Sequence, residues 1–181
     1  NKGYLLGKGY IVAPKRKVVV VGGSNIDLKA YVKDEYLAGT SNPGYLTDSL
    51  GGVGRNIAEN LGILGQPTIL LSAVGDDHYG DRIIEETIKS TLNLDYVIRS
   101  KDYDTGTYLA HLDKEGDLVG AISDMEILAE INQEYLNKHQ QIIEQASLLV
   151  LDANLKQPTI NYLLELVAEK DIPVVVEPVS V

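Results

Sequence analysis

Four short apolar runs, Val18 to Gly22, Thr68 to Val74, Ser147 to Leu151 and Val174 to Val176, alternate with stretches whose apolar residues recur every third or fourth position. Those stretches lie at about 55 to 65, 79 to 90, 132 to 146 and 158 to 170. Short, mainly apolar runs of this kind suit strands buried on both faces, and the intervening period suits amphipathic helices. Strands separated by helices call for crossover connections, so the pattern predicts an α/β fold, a parallel sheet with helices on both faces. Pro158 near one helix start and Pro173 beyond its end agree with those boundaries.

Other segments alternate with period two. Ile26 to Val32, and the pair Thr107 to Leu112 and Leu118 to Ile122 around the turn Asp113 to Asp117, read as strands with one wet face. They predict a small antiparallel β flap, a lid, set into the α/β core, and such a flap commonly covers a ligand site. The first fifteen residues differ: Gly3, Gly7 and Gly9 interleave with Tyr4, Leu5, Leu6, Tyr10 and Ile11. They suit a two-stranded ribbon, either a remnant of an upstream winged-helix module or a tail of the main domain. The domain division is therefore 1–15 and 16–181, with lid strands within about 25–50 and 105–123. The chain stops just after Val174 to Pro178, where a buried parallel strand would hand over to a crossover helix. An N-terminal portion of a longer domain is expected, with the C-terminal half absent.

With 181 residues, 44% of them hydrophobic, the chain is long enough for one domain with a sizeable core. A net charge of -10 argues against a nucleic-acid footprint or an anionic membrane partner, and Lys15-Arg16-Lys17 is too short to reverse it. No cysteine is present, so no disulfide framework or thiolate metal site is available. The longest early apolar run, Val18 to Val21, is strand-length, and no segment reads as a signal peptide or membrane span. A cytoplasmic protein is expected.

Chemistry concentrates at a glycine loop, Gly51-Gly52-Val53-Gly54-Arg55-Asn56, that feeds the helical period of Ile57, Leu61 and Leu64. Glycines permit close approach, and a helix start presents unpaired N–H groups. No Lys-Ser or Lys-Thr closes the loop as in a Walker A motif, and no Gly-x-Gly-x-x-Gly fits. The loop suits a hydroxylated small molecule better than a nucleotide phosphate; the other reading is a tight turn capping a helix. Asn25 and Asp27 stand two apart on a strand and share a face, so a carboxylate acceptor beside an amide can grip the hydroxyls of a furanose. Alternatively, Asn25 is a turn residue and Asp27 a solvated charge. Asn154, after the third core strand, belongs at the carboxyl edge where open α/β sheets bind ligands, or caps the next helix. Gly75-Asp76-Asp77 has the same location and is read as a cap for the helix starting near Tyr79. His78, His111 and His139 lack zinc-ligand spacing, and the scattered tyrosines are read as packing residues.

Gly22-Gly23-Ser24-Asn25-Ile26-Asp27, followed about 25 residues later by the glycine loop, resembles the signature of the ribokinase-like (PfkB-type) carbohydrate kinases. Within that family the chain is similar to pseudouridine kinases through Ser41-Asn42-Pro43-Gly44, Gly51 to Leu61, Leu71 to Asp77 and Glu177-Pro178-Val179-Ser180, a likeness running over about residues 17 to 181. The resemblance implies a ribokinase-like fold. It also implies transfer of the ATP γ-phosphate to a ribose 5′-hydroxyl in the intact enzyme, with ATP and Mg2+ as cofactors. Asn25, Asp27, Asn56 and the Gly51 and Gly52 amides would hold the ribose. Asn42 and Asp124, otherwise turn and flap-exit residues, become candidates for the ribose or base, and Asn154 joins them. The family's Gly-Ala-Gly-Asp motif, which carries the catalytic base, does not occur in these residues. No catalytic residue is therefore assigned, and residues 1–181 alone are expected to bind a nucleoside weakly, bind no cofactor tightly and phosphorylate nothing. Where relatives often carry Asp-Pro, this chain has Glu177-Pro178, so any role of Glu177 toward the metal is indirect. Flaps in this family often pair between subunits, which implies a homodimer through the lid. Two alternatives stand beside this reading: a kinase for another nucleoside or sugar, and a nucleoside-sensing regulatory domain fused to a DNA-binding module.

Overall fold

The computed structural model describes residues 4–6, 10–12, 17–88 and 91–179. A five-stranded parallel sheet forms the centre, in the order β13 (Val174–Glu177), β12 (Leu148–Asp152), β3 (Val18–Val21), β6 (Thr68–Leu71) and β8 (Leu92–Asn93). The middle strand is four valines, all buried. Their side chains alternate between the faces, so each face needs its own cover. On one face Val19, Val21, Leu149 and Leu151 pack with Leu136, Ile143 and Leu163. Those come from α3 (Gln133–Lys138), α4 (Gln140–Glu144) and α5 (Gln157–Ala168). On the other, Val18, Val20, Leu70 and Val150 pack with Ala58 of α1 (Val53–Ile63). Each fully buried valine or leucine adds about 1.5–3 kcal/mol, which makes this two-sided core the main source of stability.

The lid is a four-stranded sheet in the order β11 (Leu118–Asp124), β10 (Gly106–Leu112), β4 (Asn25–Val32) and β5 (Gly44–Gly51). Its outer pairs are antiparallel, as expected, but β10 runs parallel to β4, so the sheet is mixed. Ile26 at the root of the lid is fully buried against Val74 and Ile83, the latter from α2 (His78–Glu86), and this apolar joint anchors the lid.

Several boundaries differ from the sequence expectation. Thr68 to Val74 is not one strand: the chain breaks at Ser72, whose hydroxyl lies 2.9 Å from that of Ser24. Beyond it β7 (Ala73–Gly75) leaves the central sheet and pairs with β9 (Ile98–Ser100). The helix expected over 132–146 is divided at His139, which ends α3 and opens α4. The second lid strand within the expected span of about 25–50 is β5, paired with β4 along its whole length. A 3-10 turn covers Glu126–Glu130, where no element was expected. The expected N-terminal ribbon is present as β1 (Tyr4–Leu6) against β2 (Tyr10–Val12). The rest of that segment, residues 89–90 of the second expected helix and Ser180 of the Glu-Pro-Val-Ser segment lie outside the described residues.

Candidate functional site

The chain leaves the carboxyl end of β3 through Gly22, Gly23 and Ser24 and turns directly into the lid at Asn25. A cavity of about 320 Å3 opens there, between the sheet edge, the start of α1 and the root of the lid. That volume is at the lower end for small-molecule sites. Asn25, Asp27, Gly52, Asn56 and Asn154 all line it.

The lid supplies an acceptor. Asn25 Nδ2 donates to Asp27 Oδ1 at 2.7 Å, so the amide steadies the carboxylate while the second carboxylate oxygen remains for the cavity. Strand register sets Tyr108 beside Asp27 and Ser123 beyond Tyr108, and the alternation of side chains puts all three on the cavity face. Gly51 faces Asn25 across the β4–β5 pair. A Cβ at Gly51 would collide with the Asp27 carboxylate, so the glycine leaves that acid its room.

The glycine loop supplies donors. Gly52 is the N-cap of α1 at φ 93, a left-handed conformation that favours glycine, and no side chain caps the helix. The first turn of α1 also approaches β3 closely: a Cβ at Gly54 would lie 2.6 Å from the Gly22 carbonyl carbon. Arg55 N donates to Gly23 O at 3.1 Å and ties that turn to the sheet. The Arg55 side chain folds beneath the loop, only 3% exposed, with Nε donating to Gly51 O at 2.9 Å, Nη2 to Leu50 O at 3.2 Å and Nη1 to Glu59 Oε2 at 2.8 Å. Nη2 also donates to Asn56 Oδ1.

The floor belongs to Asp152, at the carboxyl end of β12. Its Oδ2 accepts from Gly23 N at 2.9 Å and its Oδ1 from Asn154 N at 2.9 Å, which sets both the β3 exit and the loop that carries Asn154. Arg55 and Asp152 were not among the sequence candidates. The available signals were an arginine one position before Asn56, and a carboxylate ending an otherwise apolar strand.

Three candidates lie elsewhere. Asn42 is engaged within its own loop, accepting from Leu37 N at 2.8 Å and donating to Leu37 O and Thr40 O. It borders a separate hollow at the lid tip with Tyr36, Tyr45 and His111. Asp124 follows Ser123 on β11, so alternation turns it from the cavity toward a hollow shared with Asp77, His78 and Thr105. Glu177 is exposed at the end of β13 and does not line the cavity. Among the described residues there is no group of three or more His, Asp or Glu that could hold a metal ion. None of the described helices is long and apolar enough to cross a membrane.

Residues 15–180 match the sequence model of the pfkB family carbohydrate kinases. This chain belongs to that family. As a pfkB family member it is 39% identical to a pseudouridine kinase of Escherichia coli, over 92% of this chain and 52% of that protein. It is 37% identical to an uncharacterized sugar kinase of the same organism, over 99% of this chain and 49% of that protein. A solved structure described as a putative sugar kinase from Clostridium perfringens is 34% identical, with a TM-score of 0.78 over 93% of this chain and 52% of that one. Arabidopsis thaliana ribokinase complexed with ribose and ATP has the same fold, with a TM-score of 0.78 at 23% identity over 90% of this chain and 53% of that one. The chain spans about half the length of these relatives.

Proposed function

We propose that this pfkB family chain forms the substrate-gripping part of a nucleoside kinase whose acceptor is pseudouridine, the intact enzyme moving the ATP γ-phosphate to the ribose 5′-hydroxyl. One observation carries the reading: the Asp27 acceptor and the Asn56 amide line one cavity of about 320 Å3 under the lid. A sugar hydroxyl both donates and accepts, so a carboxylate and an amide donor can satisfy it together. The choice of base rests on the 39% identity to a pseudouridine kinase, and the kinase names of the relatives favour an enzyme over a regulator.

In this reading the chain's own residues bind and orient. Asp27 and Asn56 fix the ribose, Gly52 lets the loop approach it, and the lid strands exclude water. A hydroxyl is a poor nucleophile without a positioned base, and ATP with its metal would supply the phosphoryl group and neutralise the moving charge. The exposed Leu46, Leu118, Val119 and Ile122 of the lid support its pairing with a second copy of the chain.

Calorimetric titration of the 181-residue chain with pseudouridine, uridine and ribose tests the grip, and ATP turnover by the full-length gene product tests the reaction. Pseudouridine binding most tightly and consuming ATP is the expected result. Equal affinity for all three, or turnover only with a free sugar, overturns the choice of substrate.

A further inference from the structure

We infer that Arg55 is a positioning residue: its buried guanidinium fixes which atoms of Asn56 and of the Gly51–Gly52 peptide face the cavity, making this side of the site a hydrogen-bond donor. The inference rests on the reading of the cavity as a sugar or nucleoside grip. Its basis is the directionality of the groups. A guanidinium carries five N–H donors and no acceptor, so the Asn56 side-chain atom against Nη2 has to be the amide oxygen. The Asn56 Nδ2 group is then the part left for the cavity that Asn56 lines. An asparagine without such a neighbour could turn either end to a ligand; here the orientation is imposed.

The same logic applies to the backbone. Arg55 Nε takes the Gly51 carbonyl at 2.9 Å, and no described peptide bond is cis. In a planar trans peptide the N–H points opposite to the C=O, so the Gly52 N–H is directed away from the guanidinium. The Leu50 carbonyl is drawn to the same side at 3.2 Å. With Glu59 neutralising the charge at 2.8 Å, the arginine works as a rigid bracket beneath the loop. Acceptors on the lid side at Asp27 thus meet donors on the loop side, and a ligand hydroxyl placed between them donates to one and accepts from the other. Lysine, a single ammonium on a flexible stem, cannot reproduce the fork.

Arg55→Lys, Asn56→Ala and the double variant, compared by pseudouridine titration and by the side-chain amide resonances of Asn56, test the assignment. Arg55→Lys is expected to remain folded, to shift and broaden the Asn56 amide pair, and to weaken binding at least about tenfold. The double variant is expected to lose less than the sum of the two single losses, because part of the arginine's effect passes through that amide and the rest through the Gly51–Gly52 peptide. Additive losses, or Asn56 resonances unchanged in Arg55→Lys, overturn the inference. Asn56→Asp supplies a check that leaves Arg55 in place: it keeps an acceptor for the guanidinium and removes the donor, so wild-type affinity in that variant also overturns it. If wild-type chain binds neither pseudouridine, uridine nor ribose, the functional reading falls, and the amide resonances still decide whether Arg55 orients Asn56.

Discussion

The Asp152 carboxylate accepts the Gly23 N–H at 2.9 Å, joining positions 129 residues apart in the chain. Through its other oxygen Asp152 also holds the Asn154 N–H at 2.9 Å. One buried side chain therefore sets two edges of the cavity, the exit from β3 and the loop after β12. The arrangement follows from the parallel sheet, in which β3 and β12 are neighbours and end at the same level.

Asp152→Ala removes the acceptor from two N–H groups at a residue that is 1% exposed. Each orphaned donor costs about 1–3 kcal/mol, so a loss of several kcal/mol in urea unfolding is expected. Asp152→Asn keeps one carbonyl oxygen and is expected to cost less. Equal stability of Asp152→Ala and wild type contradicts this role.

Gly54→Ala sets helix propensity against packing. Alanine is favoured over glycine within a helix by about 1 kcal/mol. The new methyl would lie 2.6 and 2.7 Å from Gly22 backbone atoms, which cannot swing aside as a side-chain end can. Overpacking of that kind costs about 1–3 kcal/mol, so net destabilisation is expected, read as a lower urea midpoint with an unchanged slope. A raised midpoint would mean that α1 does not approach β3 so closely.

The central sheet was legible because its signal is local: Val18 to Val21 can hardly be anything but a strand buried on both sides. Asn25, Asp27 and Asn56 were legible for a similar reason, lying at strand and helix starts beside glycines. What escaped depends on distant partners. Nothing near Ser72 announces a change of sheet, since the hydroxyl it meets belongs to Ser24. The polar, glycine-bounded β5 becomes a strand only because β4 offers a continuous edge. Asn42 has the residue type of a turn and became a candidate only through the family resemblance, and its own loop engages its amide. Arg55 was not singled out because its role depends on the Leu50 and Gly51 carbonyls folding over it.

Asp27→Asn tests the acceptor without altering its shape. The Asn25 contact at 2.7 Å can persist through the remaining carbonyl oxygen, so the unfolding midpoint should stay near that of wild type. A hydrogen bond to a charged group contributes about 1.5–3 kcal/mol, and its loss is expected to weaken pseudouridine binding at least about tenfold. Unchanged affinity in this variant would remove Asp27 from the grip.

Acid should destabilise the fold in two windows. Burial pushes the Asp77 carboxyl up, but the Thr105 N–H at 2.7 Å, the Gly80 N–H at 2.8 Å and the Thr105 hydroxyl at 2.8 Å outweigh it, holding Asp77 below its ordinary 3.8. A carboxylate whose folded pKa is depressed contributes stability that is full above the unfolded value and lost as pH falls through the folded one. The stability gap between wild type and Asp77→Asn is therefore expected to be constant near neutrality and to shrink below about pH 4. His139, between the Tyr96 and Tyr135 rings, is held below 6.5 by burial and by the Lys138 charge. The fold favours its neutral form, so its contribution is present above 6.5 and lost as pH falls below it. The gap between wild type and His139→Gln should accordingly begin to close at higher pH than the Asp77 gap. Urea unfolding of the three proteins from about pH 8 to 3 separates the windows. A His139 gap that widens on acidification would show that the imidazolium, not the imidazole, is the form the fold prefers.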